Sequence, residues 1–301
     1  MMRILLVLFI LAVVKAHEME THLPEMVNDA NDANNALPVY YHLEVPQSDL
    51  VPLSFFKQSI TQVIREYNSS RGDQVLVTVN CPGGGYTYYG SVYSQLLRLN
   101  HRNIPWTAFI DEVGASGGYL AILGAEQIYG NELALVGSIG VVIEFHNNFQ
   151  KLQKQGIVHE IFTAGDHKRN YSPGLNNTAD NIAHLQEHLN YLHQQFIQTL
   201  ELHRSDVMMA IAFQLADEYC QNVDDSTCKT DFDSLVKDLY VGHVRSVTQG
   251  DVWVGADAIK VGLMDGIMTY EGYLDAFDPN EYRLVESNQG NMDGLLQLLL
   301  G

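Results

Sequence analysis

The sequence predicts an α/β fold, and three observations carry that prediction. Short β-branched runs alternate with segments of helical spacing from Pro38 onward. Two Gly-rich turns each follow a strand-like run and open a helix. Beyond Pro173 the pattern becomes mainly helical, which places a helical part behind the alternating α/β layers.

The elements follow in order. Val39 to Val45 suits a strand, and Pro52 to Tyr67 carries Leu53, Phe56, Ile60, Val63 and Ile64 at helical spacing. Gln74 to Val79 has the composition of a buried strand. It leads into the turn Cys81-Pro82-Gly83-Gly84-Gly85 and a helix from about Tyr86 to Leu99. The order repeats with a strand at Ile104 to Ile110, a turn at Gly114 to Gly118 and a helix opening at Tyr119. Strands are expected near Gln127 to Tyr129, Ile139 to Glu144 and Ile157 to Thr163, with a helix near Asn147 to Gln155. Ile182, Leu185, Leu189, Leu192, Phe196 and Leu200 then mark one face of a helix, and two further helices are expected between Val207 and Val247.

At 301 residues and 46% hydrophobic composition, the chain has material for one large core, with no repeat of solenoid length. Arg3 precedes an apolar run from Ile4 to Val14, and Val14-Lys15-Ala16 offers small or aliphatic residues at a cleavage site. Residues 1–16 therefore look like a signal peptide and imply export. Eleven apolar residues are too few for a helix across ~30 Å of hydrocarbon, the alternative being a short uncleaved anchor and membrane association. Residues 17–37 form a polar lead-in. Residues 38–276 form a single domain with an acidic, Cys-containing helical insertion at about 205–249, and 277–301 a tail ending in Leu295, Leu296, Leu298, Leu299 and Leu300.

Thirty-six acidic against 17 basic residues give a formal charge of -19, leaving no basic stripe for phosphates and arguing against a nucleic-acid partner. Removing residues 1–16 takes away Arg3 and Lys15 and no acid, moving the charge to -21. Protonating all 12 His would bring the full chain from -19 to -7. In an oxidising compartment Cys220 and Cys228 are the natural disulfide, because they flank a polar loop, whereas Cys81 sits in a glycine turn. Three free thiols are the competing reading. His184 and His188 stand one helical turn apart, but no third ligand accompanies them, so no metal is expected there.

The two glycine turns aim backbone N–H groups toward one region, a geometry suited to an anion. The spacing matches neither a nucleotide-binding GxGxxG nor a phosphate loop, so a developing oxyanion is the better candidate. Within Ala115-Ser116-Gly117-Gly118, Ser116 is a credible nucleophile at a strand-to-helix turn. Its base is open on the residues alone. His146 and His159 lie in no recognisable triad context, and Lys168, which would need burial to lose its proton at working pH, can equally be a solvated loop residue.

Asn80-Cys81-Pro82-Gly83-Gly84, Gly114 to Tyr119, and Val136-Gly137-Ser138-Ile139-Gly140-Val141 together resemble the signal peptide peptidase A (SppA/SohB-like) family of serine-lysine peptidases. Gly165-Asp166-His167-Lys168 with Ser172-Pro173 is similar to its base-bearing segment, and Gly250 to Trp253 through Gly262 to Asp265 to its closing motif. The resemblance covers residues 74 to 204 and 250 to 267. It implies a ClpP/crotonase-like fold of stacked ββα units. It also implies Ser116 as nucleophile, Lys168 as general base, Ser138 as the hydroxyl orienting that lysine, and Gly83, Gly84 and Gly117 as oxyanion donors, with no metal or organic cofactor required. Family members degrade signal peptides and other unfolded hydrophobic segments, and single-copy members form homo-oligomeric rings whose dyad is completed between subunits. Cys81 stands where serine is usual, and the Arg204-to-Gly250 link is longer than in typical members. A viral capsid maturation protease and a non-catalytic scaffold that kept the fold are the competing expectations.

Overall fold

The computed structural model describes residues 37–165, 167–169, 171–222 and 231–286. The N-terminal sixteen residues, nearly all of the lead-in, Asp166, Cys228 and the Leu-rich terminus lie outside them.

Three parallel strands form the centre: β1 (Val39–Glu44), β2 (Gln74–Cys81) and β3 (Thr107–Ala115). Val75, Leu76, Val77 and Val79 of β2 are all buried, so both faces of that strand are covered. This accounts for an unbroken apolar run where a one-sided strand would alternate. Helices α1 (Leu53–Glu66) and α2 (Tyr86–Asn100) cover one face through Phe56, Ile60, Val63, Val92, Leu96 and Leu99. The opposite face is smaller and aromatic, with Tyr40, Leu76 and Phe109 beneath Tyr129, Tyr273, Phe277 and Tyr282.

β3 then divides its pairing. Thr107 to Ile110 pair with β4 (Gln127–Gly130), while Val113 to Ala115 pair with β5 (Leu135–Gly137). This fork decides the position of the site. Ala115 lies opposite Gly137 and Cys81 opposite Gly114, so β2, β3 and β5 end side by side and their following turns meet. Crevices at the carboxyl ends of parallel strands are where open α/β sheets bind ligands.

After the short helices α3 (Gly117–Ile122) and α4 (Phe149–Lys154), one helix, α5, runs unbroken over Ala179–Asn222. It contains neither Gly nor Pro, and the Thr178 hydroxyl accepts from the Asn181 N–H at its start. The expected break near Arg204 does not occur, because Arg204 points inward and is paired there. The insertion is therefore a continuation of α5 with α6 (Phe232–Val247) folded back along it. Ala212 and Ala216 give the close approach that Val236, Leu235 and Leu239 fill.

Two expected strands are absent. Residues 139–144 and 157–163 adopt no strand, since both edges of β5 are already taken by β3 and by β6 (Val252–Val254), which pairs antiparallel. Most of their apolar side chains stay in solvent, with Val142 88% and Phe162 90% exposed, whereas Ile139 is buried in the core. The short helix α7 (Ala256–Lys260) leads to β7 (Gly266–Ile267), which pairs with β4, and α8 (Tyr270–Leu274) follows. Residues 283–286, expected to lie in the tail, belong to the core sheet. β8 (Arg283–Glu286) pairs parallel with β1, and Tyr282 stacks on Tyr40 at 4.4 Å between ring centroids.

Candidate active site

Ser116 is the first residue beyond β3. Its backbone is held at φ 49° and ψ -122°, a conformation that side-chain-bearing residues rarely adopt. Three contacts enforce it. The Ser116 N–H donates to the Gly137 carbonyl at 2.8 Å, the Ser116 carbonyl accepts from Leu120 N–H at 2.9 Å, and Gly118 is pressed against the Cys81 carbonyl. The result is a sharp turn that lifts the Ser116 side chain out of the sheet.

Ser138 repeats the geometry one strand over. It follows β5, has φ 50°, and its N–H donates to the Asp251 carbonyl at 2.7 Å. Gly137 before it has φ 115° and lies against the Trp253 ring, where an added Cβ would come within 2.8 Å. The Gly250-to-Trp253 motif thus acts by pinning the end of β5. Ser116 and Ser138, 22 positions apart in sequence, become neighbours because Ala115 and Gly137 are in register.

Both serines open into a cavity of about 580 Å³, lined also by Gly84, Gly117, Leu120, Val141 and Phe196. Its walls are shared about equally between polar and apolar surface. Among the described residues neither the Gly84 nor the Gly117 N–H meets an acceptor, whereas the Gly83 N–H donates to Cys81 Sγ at 3.4 Å. The Gly84 and Gly117 amides are thus among the unpaired N–H groups of the residues that line the cavity. Gly83 also shapes the turn: at φ 102°, its missing Cβ would fall 2.7 Å from both Gly117 N and Ser116 Cβ. Such an arrangement can accept a carbonyl beside a hydroxyl nucleophile and stabilise the negative charge that develops on it.

Lys168 stands apart from this group. It occupies an exposed turn, its N–H donating to the Gly165 carbonyl at 3.2 Å, and it is not among the described residues lining the cavity. His146 is fully solvated near Glu144, and His159 lies against Gly174, so neither approaches Ser116 as a triad base. The His184 ring packs on His167 at 4.3 Å, with its Nδ1 3.4 Å from a Glu187 carboxylate oxygen. Among the described residues no group of three or more His, Cys, Asp or Glu is placed to hold a metal ion. Cys220 is disulfide-bonded, Cys81 is a free buried thiol, and Cys228 lies outside the described residues.

The closing motif has a structural task. Arg204 Nε donates to the Gly262 carbonyl at 2.9 Å and its two terminal nitrogens donate to both Asp265 oxygens at 3.0 Å. Asp265 also accepts from the Ile128 N–H at 2.7 Å, and the Tyr119 hydroxyl donates to the Leu263 carbonyl at 2.9 Å. The motif so ties α5, β4 and α3 together beneath Ser116. Sequence reasoning gave these residues no role, because only the fold brings Arg204 to Asp265.

A profile of Peptidase family S49 matches residues 98–219, a span holding Ser116, Ser138 and Lys168. The chain is 34% identical over 202 residues to the probable protease SohB of Haemophilus influenzae, covering 67% of this chain and 47% of that protein. This chain belongs to the SppA/SohB-like S49 peptidase family. The probable protease SohB of Buchnera aphidicola subsp. Acyrthosiphon pisum is 36% identical over 207 residues, 68% of this chain and 51% of that one. The putative signal peptide peptidase SppA of Enterococcus faecium is 26% identical over 214 residues, 71% of this chain and 52% of its own. The S49 chain described here spans about half the length of these relatives. Its mixed α/β architecture around a central sheet agrees with the ClpP-like fold expected for S49 peptidases.

Proposed function

We propose that this S49 chain is a serine endopeptidase that cuts signal peptides or other unfolded, hydrophobic segments through a Ser116–Lys168 dyad and an acyl-enzyme. The observation carrying this reading is the strained Ser116, set beside Ser138 in a cavity that Gly84 and Gly117 also line. In the first step neutral Lys168 takes the Ser116 proton while Oγ bonds to the scissile carbonyl carbon. The carbonyl oxygen becomes an oxyanion facing the Gly84 and Gly117 amides. Collapse expels the amine, which leaves with the proton held by Lys168, and the lysine then activates water to release the acyl group. Ser138 orients the lysine.

The exposed position of Lys168 supports a dyad completed between copies of this chain. Lys168 is carried on a segment whose Val142, Phe145, Val158 and Phe162 are exposed, as expected of a surface that a neighbouring copy covers. We propose a homo-oligomeric ring on that basis. Export follows from the character of residues 1–16 in the same reading. No helix among the described residues is long and apolar enough to cross a membrane.

The test is cleavage of a mixed library of unstructured, apolar-rich peptides, comparing the wild-type chain with Lys168→Ala and identifying products by mass spectrometry. Cleavage is expected in the wild type and lost in the variant with its oligomer intact. Equal cleavage by both removes Lys168 as the base. Absence of cleavage by the wild-type ring favours a scaffold that kept the fold.

A further inference from the structure

Tyr89 is fully buried, although neither its hydroxyl nor its position in α2 has a part in the dyad. One edge of its ring reaches both glycine turns. A Cβ on Gly117 would fall 2.5 Å from Tyr89 Cδ2, and a Cβ on Gly84 would fall 3.0 Å from the adjacent Cε2. The Gly84 and Gly117 backbone units, both lining the cavity, therefore rest on neighbouring atoms of a single rigid ring.

The ring is itself anchored. Its hydroxyl donates to the Pro46 carbonyl at 3.2 Å and accepts from Cys81 Sγ at 3.0 Å, and the same sulfur takes the Gly83 N–H. Tyr88 packs edge-on at 5.1 Å, and its own hydroxyl donates to the Val51 carbonyl at 2.7 Å. Asp49 holds the turn from outside by accepting the Gly85 N–H at 2.9 Å. An aromatic ring tethered at its far end cannot slide, so the separation of the Gly84 and Gly117 amides is fixed by its edge.

We propose that Tyr89 is a positioning residue that sets the spacing of the two oxyanion donors, its phenol anchor fixing the ring in place. The inference rests on the peptidase reading above. Donor placement matters mainly to the tetrahedral state, where the charge resides, and little to a bound ground-state peptide. Loss of the ring edge should thus lower kcat and leave KM largely unchanged.

The experiment measures kcat and KM on a peptide cut by the wild type, together with inhibition by the matching peptide aldehyde, for full-length wild type, Tyr89→Phe and Tyr89→Leu. Tyr89→Leu should lower kcat by about 10²-fold, the scale of losing one oxyanion donor, and weaken the aldehyde in proportion, with KM within about 2-fold. Tyr89→Phe keeps the volume and loses only the anchor, so a smaller fall of about 5-fold in kcat, again with KM unchanged, is expected. Wild-type kcat and aldehyde affinity in Tyr89→Phe overturn the proposal, even if Tyr89→Leu fails to fold. Equal losses in aldehyde and substrate affinity overturn it as well, because they indicate general disruption of the cavity. A wild-type enzyme that neither cleaves nor binds the aldehyde overturns the peptidase reading itself, whereas an active wild type with unaffected variants removes only the role of Tyr89.

Discussion

Arg204 illustrates how a single charge can serve a site it does not touch. It is 4% exposed, its guanidinium is spent on Asp265 and the Gly262 carbonyl, and removing it would strand the Asp265 carboxylate in a largely dry environment. Breaking one partner of such a pair costs about 3–5 kcal/mol. Arg204→Ala should lower stability by that amount in urea unfolding, while Arg204→Met with Asp265→Leu together should recover part of it. A cost below about 1 kcal/mol would show the pair to be dispensable. Cys81 shows a different constraint: burial pushes its thiol above the ordinary 9.0, so the sulfur acts here as a hydrogen-bonding group under the first glycine turn and not as a nucleophile. The strained φ values of Ser116 and Ser138 were not legible as such. What the sequence did display was the flanking glycines that such turns require, and these identified the right neighbourhood.

Among the elements, β1 to β4, α1, α2 and the helical α5 were readable because each carries an apolar period that packing preserves. The failures have particular causes. Residues 157–163 have strand composition, yet pairing needs an open edge and β5 has none. Arg204-Ser205-Asp206 looks like an interruption in sequence, but Arg204 is paired inside and the helix runs through it. β8 was missed because four residues around Leu284 and Val285 give too short a pattern to distinguish from a polar tail. Two histidines join elements and make stability depend on pH. His42 of β1 hydrogen-bonds the Thr78 hydroxyl and stacks on Tyr270, and His203 of α5 meets the Tyr93 hydroxyl of α2 at 2.7 Å. Burial holds both below the ordinary 6.5, with Glu286, Glu44 and Glu271 opposing the shift at His42. The folded chain then binds fewer protons than the unfolded one below about 6.5, so stability is full above that value and is lost as pH falls beneath it. The urea midpoint should drop between pH 7.5 and 5.5, and a His42→Gln, His203→Gln double variant should show a shallower drop. An identical pH slope in both would exclude these groups.

At the scale of the whole molecule the candidate site is divided between two surfaces. Ser116, Ser138 and the Gly84 and Gly117 backbones meet around the cavity at the ends of β2, β3 and β5, while Lys168 is exposed and is not among the described residues lining it. If the dyad forms between copies, Ser116→Ala and Lys168→Ala chains, each inactive alone, should regain activity when dissociated and reassembled together. Recovery to a measurable fraction of wild type is expected in the mixed particle, and none at all would place both groups in one chain. The family motifs announced which residues to examine, whereas their division between surfaces emerges only from three dimensions, since it depends on where the segment after β5 projects.

The pairing of β1 with β8 bears on how the chain comes to be folded at all. Among the described residues Val39 belongs to the first strand in sequence and its register partner Arg283 to the last, so over two hundred intervening residues must be made before that edge is closed. Until then the edge of β1 that faces away from β2 is an uncovered template, carrying buried-type residues such as Val39 and Tyr40, for any extended segment nearby. Maturation of this protein is therefore a race between completing its own sheet and capture by a stranger, and a helper that shields emerging strands would be of most use to it in that interval.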